Sequence, residues 1–110
     1  MLHTALRPFT PLLQDLCRRF GVQQLYLFGS GVTERFDAAR SDVDVLVQLL
    51  PAAPLTQGET LLALWAELET ILQRRVDLLT PESLQNPFLK AEIDQTKYLI
   101  YDAAGTEIPV

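Results

Sequence analysis

Ser41-Asp42-Val43-Asp44-Val45-Leu46-Val47 is the stretch on which the reading of this chain turns. Side chains alternate across a β-strand, so Val43, Val45, Val47 and Leu49 share one face and Asp42 and Asp44 share the other. The valine face is predicted to be core, which leaves two carboxylates side by side at the mouth of a buried strand. Two unit charges about 4 Å apart at an effective dielectric near 20 repel by ~4 kcal/mol. Such a pair needs a proton on one carboxyl or a cation between them. A hard, oxygen-seeking divalent ion, magnesium foremost, suits one or two carboxylates together with substrate phosphates. A plainer alternative stays open, in which Ser41 and Asp42 cap a turn and both aspartates are solvated. The glycine and distant glutamate of an EF-hand loop are missing.

Outward from this strand, two segments bear on the same chemistry. Arg75-Val76-Asp77-Leu78-Leu79 is a short apolar strand with an aspartate inside it. A lone carboxylate there is costly unless it is paired, with Arg75 or Arg35 as candidates, or binds metal. If this strand lies beside the first, three carboxylates converge. Leu25-Tyr26-Leu27-Phe28-Gly29-Ser30-Gly31 is a strand running into a small-residue turn. Glycine there lets the backbone approach an anion, and Ser30 adds a hydroxyl and an amide donor. An ordinary glycine turn is the competing reading. Position 34 is Glu, so Gly-x-Gly-x-x-Gly is incomplete, and no Gly-Lys-Ser/Thr follows.

Three strands are expected, at 24–28, 43–49 and 76–79, with helices between them. Thr10-Pro11 reads as a cap followed by proline, with Leu12, Leu13, Leu16, Cys17 and Phe20 as the apolar stripe and Gly21 at the end. Thr56 and Glu59 read as a capping box for a helix burying Leu61, Leu62, Trp65, Leu68 and Leu72, with Arg74 and Arg75 at its negative end. Asn86-Pro87 opens a last helix with Leu89, Ile93, Thr96 and Ile100 on one face and Gly105 beyond. The pattern is a small α/β domain with helices packed on a sheet, and it leaves strand directions open.

Composition narrows the function classes. At 110 residues the chain is expected to be one domain, 1–110. Hydrophobic residues are 48% and charged residues 21%, as in a globular domain, and no apolar run suggests a membrane span or a signal peptide. Nine basic against 14 acidic residues, net −5, makes extended nucleic acid a poor partner. The single cysteine, Cys17, permits no internal disulfide and suits the reducing cytoplasm, and its apolar neighbours suggest a buried hydrophobe. The one histidine, His3, near a terminus expected to fray, leaves no Ser/His/Asp hydrolase or zinc site. Tyr26, Tyr98, Tyr101 and Trp65 read as packing residues.

The ordered set Phe28-Gly29-Ser30, Ser41-Asp42-Val43-Asp44-Val45-Leu46-Val47 and Val76-Asp77-Leu78 resembles nucleotidyltransferases of the DNA polymerase β type. More narrowly, with Thr80-Pro81-Glu82-Ser83-Leu84 and a helix running to Tyr101-Asp102-Ala103, it is similar to the minimal nucleotidyltransferases, the MntA-like antitoxins of HEPN/MNT toxin–antitoxin pairs. The resemblance spans roughly residues 10–104. It implies a small mixed sheet flanked by helices. It also implies that Gly29 and Ser30 hold nucleotide phosphates, that Asp42 and Asp44 bind two Mg²⁺ ions, and that Asp77 completes the metal site and takes the proton of the attacking hydroxyl. The implied reaction moves AMP from ATP to a hydroxyl, a tyrosine, of a partner HEPN toxin. Departures are Gly31-Val32-Thr33 where relatives carry arginines, the first arginine coming at Arg35, eleven residues between Ser30 and Asp42, and Ala39-Arg40 where Pro-Asp is frequent. They support a second reading, a weak or inactive binding module that neutralises the toxin by contact. A third, transfer to a small molecule or RNA end, would call for a further domain.

Overall fold

The structure is a computed structural model describing residues 2–33, 35–37 and 40–105. Glu34 and Ala39, noted above, lie outside the described residues. Helix α1 spans Thr10–Arg19, β1 Val22–Phe28, β2 Val43–Leu49, α2 Pro54–Leu72, β3 Val76–Leu79, α3 Pro87–Thr96 and β4 Tyr98–Asp102. The sheet order is β3-β2-β1-β4. β1 runs antiparallel to β2 and β4, while β2 and β3 are parallel, so the sheet is mixed. A parallel pair needs a long crossover, and α2 supplies it.

Alternation divides the core. Val43, Val45 and Val47 are fully buried with Leu25 and Leu27 under α1 (Leu13, Leu16, Cys17) and α2 (Leu64, Leu68, Leu72). The opposite face holds a smaller cluster, Phe28 and Leu46 against Ile93 of α3. α3 starts as expected: the Asn86 side-chain oxygen accepts from the N–H groups of Phe88 and Leu89, ahead of Pro87. Gly21, just past α1, sits at φ 67°, the left-handed end expected there.

Several local expectations are corrected. Thr10 is the first residue of α1 rather than its cap; Phe9 precedes it and makes no side-chain cap bond. Leu12 faces solvent. α2 starts two residues before Thr56, at Pro54 with proline in its first turn, so Thr56 and Glu59 lie inside the helix and no side chain caps it. Its buried stripe is Leu64, Leu68 and Leu72, whereas Leu62 and Trp65 are exposed and Leu61 is partly buried. Ile100 is a strand residue: α3 ends at Thr96, Lys97 turns to φ −59°, ψ 144°, and a fourth strand follows. Ile100 is the extra residue where the β1–β4 register shifts, and its side chain is fully buried. The segment around His3 is docked. Leu2 and Leu6 are buried, the His3 N–H donates to the Gly31 carbonyl at 2.9 Å, and its ring lies 5.2 Å from that of Phe36.

Candidate functional site

The sheet register builds the site. On β2 and β3, Asp44 is paired with Asp77; on β1 and β2, Phe28 is paired with Asp44. Neighbouring strands lie about 4.8 Å apart, so the two aspartates are in contact range across the parallel ladder. Both stand on the face covered by α3, at the end of the sheet where β1 passes into the turn Gly29–Val32.

That turn is shaped around Asp44. Gly29 has φ 69°, a left-handed conformation, and a Cβ built there would collide with the Asp44 carboxylate oxygen. Glycine is thus favoured by backbone angle, and any side chain there would have to push the Asp44 carboxylate aside. The Ser30 carbonyl accepts from the Thr33 amide at 3.0 Å and the Thr33 hydroxyl at 2.9 Å, which closes the turn. Among the described residues the Ser30 hydroxyl has no hydrogen-bond partner. Gly31 is buried, and a Cβ there would press on Leu6, so the docked first residues brace the turn from behind.

Electrostatics single out Asp44. Its pKa is raised from 3.8 to about 6, first by burial, then by the Asp77 charge, a hydrogen bond between the two carboxyls and the charge of Asp42. Protonated Asp44 donates to the Asp77 carboxylate, the proton doing the work a cation could do. Neither Arg75 nor Arg35 pairs with Asp77: among the described residues the ion pairs are Arg19–Asp15, Lys90–Asp94 and Lys97–Asp94.

The expected convergence is therefore met by two residues of three. Asp42 is close enough for its charge to be felt by Asp44, but among the described residues no three acidic, histidine or cysteine side chains form a ready metal cluster. The donor set still fits an oxygen-seeking divalent ion, and the proton demand of Asp44 comes first from burial and then from its carboxylate neighbours. Ser41 takes the turn role: its hydroxyl accepts from the Asp37 N–H at 2.8 Å, and its own N–H donates to the Asp37 carbonyl at 2.7 Å.

Trp65 is more than a packing residue. Its Nε1–H donates to the Val76 carbonyl at 2.8 Å, while Glu69, one turn on, accepts from the Val76 N–H at 2.9 Å. Two side chains of α2 thus grip the residue next to Asp77 on the outer strand. Spacing i,i+4 with a tryptophan and an acid was the available signal, hidden by reading Trp65 as core.

A mixed sheet with a Gly-Ser turn after one strand and in-register aspartates on the next two defines a nucleotidyltransferase architecture. Residues 12–105 match the family described as polymerase beta, nucleotidyltransferase, and the chain belongs to that family. It is 30% identical over 88 residues to a curated relative from Methanocaldococcus jannaschii named "Putative protein adenylyltransferase MJ0126", covering 80% of this chain and 84% of that one. A solved minimal nucleotidyltransferase is similar at TM-score 0.64 and 27% identity, covering 89% of this chain and 95% of the other. The fold is shared with a chain of a toxin–antitoxin complex with AMP-PNP (TM-score 0.64, 22% identity, 86% and 73% covered). It is also shared with one from a complex of tri-AMPylated Shewanella oneidensis HEPN toxin with MNT antitoxin (TM-score 0.60, 20% identity, 89% and 73% covered). The chain is a nucleotidyltransferase. Among the described residues, no helix is long and apolar enough to cross a membrane.

Proposed function

We propose that this chain acts as one minimal nucleotidyltransferase domain, the antitoxin of a toxin–antitoxin pair, moving AMP from ATP to a tyrosine hydroxyl of a HEPN-type toxin. The observation that carries the reading is the in-register pair Asp44–Asp77 with Gly29 packed on Asp44. The adenylyltransferase name of a relative and the AMPylated toxin of a fold neighbour support the choice of AMP and of a protein acceptor.

In this reading the Gly29 and Ser30 amides and the Ser30 hydroxyl bind the phosphates, and Asp42, Asp44 and Asp77 hold Mg²⁺. Two such ions, when bound, stabilise charge on the entering and leaving oxygens of an in-line displacement. Asp44 would hold a cation as its carboxylate, its proton passing to solvent. Asp77, the more exposed of the pair, accepts the proton of the incoming hydroxyl. The phenolic oxygen bonds to the α-phosphorus of ATP, the bond from that phosphorus to pyrophosphate breaks, and pyrophosphate leaves from the Gly29–Ser30 side.

The test mixes the protein with its toxin, Mg²⁺ and ATP labelled in the adenosine moiety. Label is expected on the toxin, and Asp44→Asn is expected to lower transfer by about 10³-fold or more with the fold retained. Unlabelled toxin with folded antitoxin would defeat the proposal. Gly31-Val32-Thr33, in place of arginines, favours the second reading, neutralisation by contact. Under it the Asp42→Asn/Asp44→Asn double variant still protects cells; under the first it does not.

A further inference from the structure

Asp44 and Asp77 line a groove of about 590 Å³ whose apolar walls the chemistry above leaves unused. Its walls are apolar, Leu61, Leu62 and Trp65 of α2 with Leu78 and Leu79 of β3, and Asp44 and Asp77 stand at its polar end. Trp65 is anchored through its indole N–H on Val76 yet remains 43% exposed, and Leu62 is 66% exposed. A tryptophan whose polar atom is satisfied and whose ring stays in water is a rigid, uncovered apolar surface.

Position decides which reactant would cover it. Gly29 packs on Asp44 from the β1 side, while Asp77 flanks Asp44 on the β3 side. The groove reaches from Phe28 of β1 and Asp44 of β2 to Asp77 of β3 and on to Leu61, Leu62 and Trp65 of α2, so its apolar end lies beyond Asp77 from the turn. Entering and leaving groups of an in-line displacement lie on opposite sides of the phosphorus. With the leaving phosphates at Gly29–Ser30, the entering hydroxyl arrives from the groove. The lining then selects among hydroxyls. A nucleobase carries donors and acceptors along its edge, and besides the two carboxylates Thr80 is the one polar side chain in the lining. An aliphatic alcohol would leave the walls wet. A phenol has an apolar ring with one hydroxyl at its far end, which suits an apolar slot ending in carboxylates.

We propose that this groove is the acceptor site and takes an aromatic hydroxyl, a tyrosyl side chain of the partner, with Trp65 and Leu62 against the ring and Asp77 at the oxygen. The assignment rests on the transferase reading above, but it makes a prediction that needs no turnover. Trp65 is the only tryptophan, so its indole N–H gives a single NMR resonance on the groove wall. N-acetyl-tyrosinamide added to the full chain is expected to shift that resonance saturably, and N-acetyl-serinamide is not. Leu62→Glu, at an exposed position that the fold does not need, is expected to weaken the tyrosinamide response about tenfold. Leu55→Glu, on the same helix, 77% exposed and outside the groove lining, is expected to leave it unchanged. A silent indole, an equal response to serinamide, or displacement of tyrosinamide by adenosine would overturn the assignment. Calorimetry of Mg²⁺ with ATP on the same samples separates the two ideas. Nucleotide binding with a silent indole removes the groove and keeps the transferase. A tyrosinamide shift without nucleotide binding keeps the groove and removes the transferase.

Discussion

Asp44 is held against its own preference. Its carboxyl titrates near 3.8 when exposed and at about 6 in the fold. The raised value means that the fold's stability is fully present below pH 3.8 and falls as pH rises through 6, where the charged form is forced on a site that disfavours it. The group is only partly buried, so screening reduces the effect to the order of 1 kcal/mol. Without divalent ions, Asp44→Asn is therefore expected to melt a few degrees higher at pH 7 and to flatten the decline between pH 4 and 6. Thermal melts across that range check it, and a lower melting point at pH 7 would contradict it. The meeting of Asp44 and Asp77 was legible in part, because period-2 alternation places Asp44 and because Asp77 interrupts an apolar strand. The placement of Asp42 was not readable: it follows the turn closed by Asp37 and Ser41, whose hydrogen bonds no local pattern announces.

At the scale of elements, the short outer strand β3 depends on α2. Val76 is 2% exposed, and its N–H and C=O go to Glu69 and Trp65. Glu69→Ala strands a buried N–H and is expected to cost about 1–3 kcal/mol, whereas Glu69→Gln keeps an acceptor and most of the stability. Chemical denaturation of the two variants distinguishes them, and equal losses would show that the hydrogen bond contributes nothing. Strands β2 and β3 match their sequence-based bounds because apolar runs of 7 and 4 residues flanked by turn residues leave few alternatives. The fourth strand escaped notice because Ile100 continues the helical spacing of Leu89, Ile93 and Thr96; the break is a backbone change at Lys97, where no glycine or proline marks it. The start of α2 was misplaced for the opposite reason. Thr56 and Glu59 mimic a capping box, while Pro54 at the first turn sets the start. Strand directions lay beyond any single segment, since pairing is a property of two.

The molecule as a whole keeps its one thiol out of reach. Cys17 is fully buried between α1 and the sheet, and burial pushes its pKa up to about 12. Thiol reagents should therefore react only with opened molecules, at a rate proportional to the open population. Mg²⁺ and ATP at 100 times the dissociation constant should slow labelling about 100-fold, equivalent to ~2.7 kcal/mol. Unchanged labelling would mean that nucleotide does not bind the native state. Net charge −5 points the same way as the pocket chemistry, toward a small anion carried in with its own cations rather than a long polyanion.

Each rim of the sheet has one residue whose backbone groups are taken by helix side chains. Trp65 and Glu69 take the backbone groups of Val76 on β3, and the Gln14 amide donates to the Ile100 carbonyl on β4 at 3.0 Å. Backbone groups spent in this way cannot template a foreign strand. The chain should thus resist stacking into fibrils through these rims when concentrated. A strand laid along either edge would meet a gap in its ladder at Val76 or at Ile100.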